Sequence, residues 1–282
     1  MKDLFLGKFN KSVLSYAEVL NDESQFNLEN KITEVQNFLD SKKEVLEQVD
    51  RTGKISPDII NSFKQSGLFG LSIPQEYGGA GFLYTEIARF YEVFGCELSL
   101  SEFMGTNEFL GYRALLLHGT VEQKAKYLPK LAGGEMMASW CLAEAGTGSD
   151  PDSVACVAVE EGEGFVISGT KTWVANAQGA QLFTVFARLK MSNSKGKEEE
   201  KLTCFLVDKN EVGVGEMEIS QPYALAGLKG VEACDVKLEK CKGELQNQNK
   251  VHHNSNRTIT QLNKQRQNHY TVDQTVTKPY HS

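Results

Sequence analysis

WCLAEAGTGSD, residues 140–150, marks the place where this chain changes character. An apolar run from Met136 leads into a carboxylate at Glu144, and a turn built from Gly146, Thr147, Gly148, Ser149 and Asp150 follows. Glycines allow the backbone to approach a polar ligand closely and to take up turns with φ > 0. A short way on, KTWVAN (Lys171 to Asn176) places an indole, Trp173, in a second strand-like run. Taken alone, each feature has a plain structural reading: GTGSD is a turn between strands, and Trp173 is a core aromatic.

N-terminal to this point the periodicity is helical. Residues 1–27 are mixed and read as an irregular arm. From Leu28 to Val49, apolar residues recur at Ile32, Val35, Phe38, Leu39, Val45, Leu46 and Val49, opposite a charged face, and the pattern breaks at Gly53. Ser56-Pro57 reads as an N-cap with proline at the first helical position, and Gly67 as the stop. GLFGLSIPQEYGGAG, residues 67–81, is a glycine-rich loop. Helices are expected from Tyr84 to about Glu97 and from about Ser101 to His118. Thr120 with Gln123 forms a capping-box pattern that opens a third.

C-terminal to Met136 the texture is that of strands: Met137–Ala143, Val154–Val159, Phe165–Ala175, Leu182–Leu189, Leu202–Asp208 and Ala233–Leu238. Glu161–Gly164 reads as a hairpin turn and Ser192–Lys201 as a charged surface loop. Helices followed by strands predict an α+β fold. The expected domains are an all-helical unit over residues 28–135 and an antiparallel β-barrel or sandwich over 136–240. Residues 241–282 are rich in Asn, Gln, His, Thr and Lys and cannot bury enough apolar surface to offset the entropy of ordering. They are expected to form a disordered polar tail. His252, His253, His269 and His281 lie there without a cysteine pair or regular spacing, so no metal site is read.

Composition narrows the function. The 282 residues are 40% hydrophobic and 24% charged, as in an ordinary globular protein, and the net charge of −7 argues against nucleic-acid binding. No apolar run approaches the ~20 residues of a transmembrane helix. Cys96, Cys141, Cys156, Cys204, Cys234 and Cys241 contain no CxxC pair and read as buried, reduced thiols. The start, MKDLFLGKFNKS, is a poor signal peptide and a weak transit peptide.

WCLAEAGTGSD resembles the first signature of the acyl-CoA dehydrogenases, roughly C-L-T-E-x-G-x-G-S-D. KTWVAN is similar to that family's K-x-W-I-T-N strand. GLFGLSIPQEYGGAG and LHGTVEQKAKYLPKLAGGE stand in the family's order, and the likeness spans about residues 30–240. The N-terminal lead and the Glu-Tyr-Gly-Gly region look most like the very-long-chain branch, which includes a relative serving in mitochondrial complex I assembly. The resemblance implies a helical domain, a middle β-domain and a C-terminal four-helix domain. FAD is expected between the last two, helped by a neighbouring subunit. It also implies α,β-dehydrogenation of a fatty acyl-CoA, electron-transferring flavoprotein as acceptor, a homodimer or complex I assembly partners, and a mitochondrial location. Carried onto this chain, the flavin-lining positions are Trp140, Cys141, Leu142, Ala143, Gly148, Ser149, Trp173, Val174 and Ala175, with Ser149 also facing the acyl-CoA thioester.

Three departures stand out. Ala143 and Ala175 replace family threonines whose hydroxyls hydrogen-bond the flavin near N5. Each lost bond is worth about 1 kcal/mol. The polar tail stands where the C-terminal helical domain, with its catalytic glutamate, is expected, and its composition resembles translated non-coding sequence. Of the tail's acids, neither Glu244 nor Asp273 sits in a matching helix motif, and no catalytic base is assigned. Glu144 reads as a structural carboxylate that pairs or caps near its turn. Two functions follow: an FAD-dependent acyl-CoA dehydrogenase by descent, catalytically incomplete as this chain, or a non-catalytic mitochondrial assembly or interaction protein.

Overall fold

Asn21 starts the first helix: its side chain accepts a hydrogen bond from the Ser24 amide (2.8 Å) ahead of α1, Asp22–Ser41. The computed structural model describes residues 6–8, 20–162, 164–192 and 198–246. The helix thus begins before the expected Leu28, because a cap and two first-turn acids extend it beyond the apolar stripe of Leu28, Ile32, Val35 and Leu39. Two short helices, α2 (Lys43–Glu47) and α3 (Val49–Thr52), follow and stop at Gly53, whose φ of +67° suits glycine. Ser56 caps α4 (Pro57–Gln65), and Gly67 at φ +66° ends it as expected. On α5 (Tyr84–Phe94), Ile87, Phe90 and Phe94 are buried. The Phe63 and Phe94 rings pack 5.5 Å apart at the centre of the helical core.

The single helix expected over 101–118 is three pieces. α6 (Leu98–Gly105) runs into a wide π-helical turn, Thr106–Gly111, and α7 (Arg113–His118) resumes beyond it. The extra residue in a π turn rotates side chains off the helical register. Here it delivers Asn107 and Gly111 onto the β-domain.

On α8 (Val121–Ala132) the expected capping box is present: Gln123 N donates to Thr120 Oγ1 (3.2 Å) and Thr120 N to Gln123 Oε1 (3.1 Å). Thr120→Ala is expected to cost about 1 kcal/mol, read as a fall in Tm of about 2–4 °C. An unchanged melting curve would count against the cap.

The β-domain contains β1 (Ala138–Cys141), β2 (Val157–Glu161), β3 (Gly164–Val174), β4 (Leu182–Ser192), β5 (Glu198–Asp208), β6 (Met217–Ile219) and β7 (Cys234–Leu245). β4, β2, β3, β7 and β5 pair in that order and β5 returns to β4, closing a barrel; β1 joins β4 and β6 joins β7. The antiparallel barrel or sandwich expected from sequence is corrected to a mixed barrel. β1 pairs with Leu182–Val185 and β2 with Arg188–Leu189, both parallel to β4. One edge of β4 is thus shared end to end by two strands. The expected hairpin is present: Glu161 pairs with Gly164, with Gly162 at φ +63°. The inward faces of Ala158, Ile167, Val185, Ala187, Phe205, Val207, Val236 and Leu238 form the core.

Three expectations are corrected. Ser192 and residues 198–201 of the expected charged loop are strand, residues 193–197 lie outside the described residues, and Lys190 pairs with Glu200 across β4 and β5 (3.5 Å). Cross-strand charge pairs let polar residues continue a ladder past the barrel wall. β6 was missed because three residues carry no periodic signal. β7 runs past the expected boundary at 240 to Leu245, since Cys241 and Leu245 still point into the core. Residues 247–282, including the four histidines and Asp273, lie outside the described residues. No helix among the described residues is long and apolar enough to cross a membrane.

The two domains are joined tightly. Asn107 Oδ1 accepts from Ala138 N (2.9 Å), and Thr184 Oγ1 donates to the Gly111 carbonyl (2.6 Å). Two strands across from Thr184, Glu244 accepts from Lys126 Nζ (2.7 Å), Tyr127 Oη (3.0 Å) and Gln123 Nε2 (3.2 Å). The sequence had placed Glu244 in the tail; it holds α8 against the end of β7.

Candidate functional site

The two stretches singled out in the sequence lie side by side. β1 ends at Cys141 and the chain passes through Leu142 and Ala143 into the Glu144 turn, while the end of β3 runs alongside. Two hydrogen bonds fix this: Thr172 N donates to the Ala143 carbonyl (2.9 Å), and Ser139 Oγ to the Ala175 carbonyl (2.9 Å). Asn176 Nδ2 donates to the Phe103 carbonyl (2.9 Å), which ties the end of this strand to the helical domain.

The turn is built from its polar side chains. Glu144 and Thr147 exchange backbone hydrogen bonds (2.8 and 2.9 Å), and Thr147 Oγ1 donates to the Ser153 carbonyl (2.8 Å). Asp150 accepts from the Asp152 amide (3.2 Å) and from the Ser153 hydroxyl. Gly146 and Gly148 differ from expectation: neither has positive φ, and a Cβ added at either would meet nothing within 4 Å. The chain's own packing therefore gives no reason for glycine there. The glycines leave an unobstructed backbone facing outward, as close approach of a ligand requires. Ser149 is exposed, and its hydroxyl has no partner among the described residues.

Glu144 is structural. Its side chain is only 9% exposed and that of Lys171 is 0% exposed, with Nζ–Oε1 at 2.7 Å. The same carboxylate accepts from the amides of Ala155 (2.7 Å) and Cys156 (3.0 Å), and Lys171 Nζ also donates to the Leu142 carbonyl (3.1 Å). Burial alone would raise the Glu144 pKa. The Lys171 hydrogen bond and the two amides outweigh it and hold the carboxyl below its ordinary value. Lys171 was visible in KTWVAN, yet a lysine in a strand is ordinarily read as solvent-facing, so its role passed unrecognised.

Trp173 is the conspicuous side chain. A register shift in β3 between Lys171 and Val174 coincides with a φ of +56° at Trp173, unusual for a bulky residue. The indole is 62% exposed, so it is not the core aromatic of the plain reading. Its one aromatic neighbour among the described residues is Tyr223, at 4.5 Å between ring centroids. Tyr223 sits in an irregular loop without any sequence pattern to flag it.

Residues 29–135 match the N-terminal domain of acyl-CoA dehydrogenase, and residues 139–241 match its middle domain. The chain belongs to the acyl-CoA dehydrogenase family. The human very long-chain specific acyl-CoA dehydrogenase, mitochondrial, is 34% identical over 233 residues, 79% of this chain and 34% of the relative. The 3-(aryl)acrylate reductase of Clostridium sporogenes is 35% identical over 205 residues, covering 70% of this chain and 51% of the relative. An acyl-CoA dehydrogenase from Bacillus anthracis, solved as its FAD complex, superposes with a TM-score of 0.69 at 26% identity over 83% of this chain and 39% of its own. The chain thus spans about a third of the length of the very-long-chain relatives it matches.

Among the positions that the sequence resemblance expects to line a flavin in this acyl-CoA dehydrogenase homologue, the side chains divide. Cys141 and Val174 point into the barrel core and can offer a ligand only their backbone. Burial pushes the Cys141 thiol up to about 12, which leaves it unreactive. Trp140, Leu142, Ala143 and Ala175 are half-buried, and Trp140 packs on Phe186 with ring centroids 4.5 Å apart. All six cysteines are free; Cys96 is exposed rather than buried as expected.

Proposed function

We propose that this chain forms the helical and middle-domain parts of an FAD-dependent acyl-CoA dehydrogenase acting on fatty acyl-CoA. The single observation that carries the reading is the exposed indole of Trp173, held at an unfavourable φ beside an open glycine turn. A flat, electron-poor ring gains stacking from such an indole. Phosphate oxygens gain from the amides of an unobstructed turn. The residues present therefore fit FAD: Trp173 would flank the ring, and the backbone of Trp140–Ala143, Val174 and Ala175 would meet its polar edge. Gly148 and Ser149 would face the phosphates, and Ser149 alternatively the thioester of the acyl-CoA. Bound FAD would supply a two-electron acceptor for the β-hydride of the substrate.

The chain's own contribution is orientation. Glu144 is committed to Lys171 and two amides, so it positions the turn rather than abstracting a proton. Electron-transferring flavoprotein as acceptor is proposed with this reading from the family resemblance, and a mitochondrial setting from the names of the very long-chain relatives. A second reading, a non-catalytic assembly or interaction protein such as a complex I assembly partner, is favoured by Ala143 and Ala175 in place of hydroxyl-bearing residues. The purified protein's absorbance spectrum, followed by acyl-CoA-dependent dye reduction, separates the two. Flavin bands with turnover support the enzyme; a colourless protein that recovers defined partners supports the assembly role.

Trp173→Ala is expected to weaken FAD binding about 5- to 150-fold, from a stacking contribution of about 1–3 kcal/mol. Because the indole is mostly exposed, stability should change by less than about 0.5 kcal/mol. Equilibrium titration with FAD, paired with a melting curve, checks both. Equal affinity of variant and parent would remove Trp173 from the site.

A further inference from the structure

We infer that Tyr223 and Asp235 act as positioning residues that hold the Trp173 indole ready for a flat ligand. The inference rests on the flavin reading above and deepens it. Trp173 sits where β3 shifts register, at a φ that leaves its side chain outside the barrel wall. An indole so placed has few neighbours to fix its rotamer, and 62% of it is exposed. Tyr223 supplies the missing wall, with its ring tilted 41° to the indole and 4.5 Å away.

Tyr223 is itself pinned at both ends. Its amide donates to the Ala233 carbonyl (2.9 Å), and its hydroxyl donates to the Asp235 carboxylate on β7. Asp235 is fixed in turn: its amide donates to Ser220 Oγ (2.9 Å), and its carbonyl accepts from Ser220 N (3.0 Å). A chain of contacts thus runs from the β7 ladder through Asp235 and Tyr223 to one face of Trp173. The rest of the indole stays open. A side chain immobilised before its ligand arrives does not lose that freedom on binding, so affinity rises without a new contact.

Fluorine NMR on 5-fluorotryptophan-labelled protein tests the clamp directly. The chain has two tryptophans, Trp140 and Trp173, and Trp173→Phe assigns the resonances. Tyr223→Phe keeps the ring but removes the hydroxyl, and Asp235→Asn alters the acceptor. In flavin-free protein, Tyr223→Phe is expected to broaden or split the Trp173 resonance and leave that of Trp140 in place. Asp235→Asn should do so more weakly, since an amide oxygen still accepts. Tyr223→Phe should also bind FAD about fivefold more weakly, by the ordering free energy of one side chain. An unmoved, unbroadened Trp173 resonance in Tyr223→Phe overturns the clamp. A disturbed resonance with unchanged FAD affinity overturns its role in binding. Failure of the unsubstituted chain to take up FAD overturns the flavin reading and the positioning role with it.

Discussion

Glu144→Gln is expected to lower the stability of this protein by about 3 kcal/mol at neutral pH, the scale on which loss of one partner from a buried ion pair is felt. The reason lies mainly with Lys171. Its side chain is fully buried, and without the carboxylate its ammonium keeps only the Leu142 carbonyl and a neutral amide oxygen. Lys171→Met should be costly for the converse reason, and the double variant should lose less than the sum of the two. The pH dependence has a definite sign. The folded-state pKa of Glu144 lies below its ordinary value. Its stabilising contribution is therefore complete above the unfolded value of about 4.3 and is lost as pH falls through the folded value. The gap between parent and Glu144→Gln should accordingly shrink on acidification below about pH 4. Urea denaturation at neutral and acidic pH measures it. A gap under about 1 kcal/mol would place the pair among ordinary surface ion pairs.

Gly111→Ala should be comparably damaging for a different reason. A Cβ at Gly111 would stand 2.4 Å from the Ala138 carbonyl oxygen and 2.6 Å from its carbon. Both are backbone atoms of β1, so no side chain can swing aside. Relief requires the π turn and the strand to separate, which strains the Thr184–Gly111 and Ala138–Asn107 hydrogen bonds. Overpacking of this kind costs about 3 kcal/mol, a fall in Tm of about 10 °C for a protein of this size. Gly148→Ala is the matched control: its Cβ meets nothing within 4 Å, and Tm should stay within about 2 °C. Calorimetry of the pair decides the matter. Similar melting curves would mean that the seam between the domains yields.

These two sites also mark what could be read from sequence and what could not. The capping box at Thr120 and Gln123, the proline-started helix at Pro57 and the stops at Gly53 and Gly67 are local, and local chemistry survived folding intact. The order of the six longer strands was legible from β-branched runs. Their pairing was not: the parallel contacts of β4 with β1 and β2 join segments far apart in sequence. The π turn arises from the close approach of Gly111 to β1, which no helical periodicity encodes. At the candidate site, the turn and the indole were visible as separate signals. Their adjacency depends on long-range bonds such as Thr172 to Ala143. Tyr223 gave no signal at all, since an aromatic in an irregular loop has no spacing to betray it.

The join between β5 and β7 is short. Among the described residues Phe205 pairs with Leu245 and Leu206 with Glu244, and Gln246 N donates to the Cys204 carbonyl (3.2 Å). Just at that point, α8 reaches over: Gln123, Lys126 and Tyr127 engage Glu244, and Gln123 also donates to the Leu245 carbonyl (3.3 Å). The helix works as a clasp on this short join of the ring. A barrel separated from the helical domain would keep its apolar interior but lose this clasp. The opened margins of β5 and β7 would then offer unpaired backbone to the nearest copy, the route by which free strand edges aggregate.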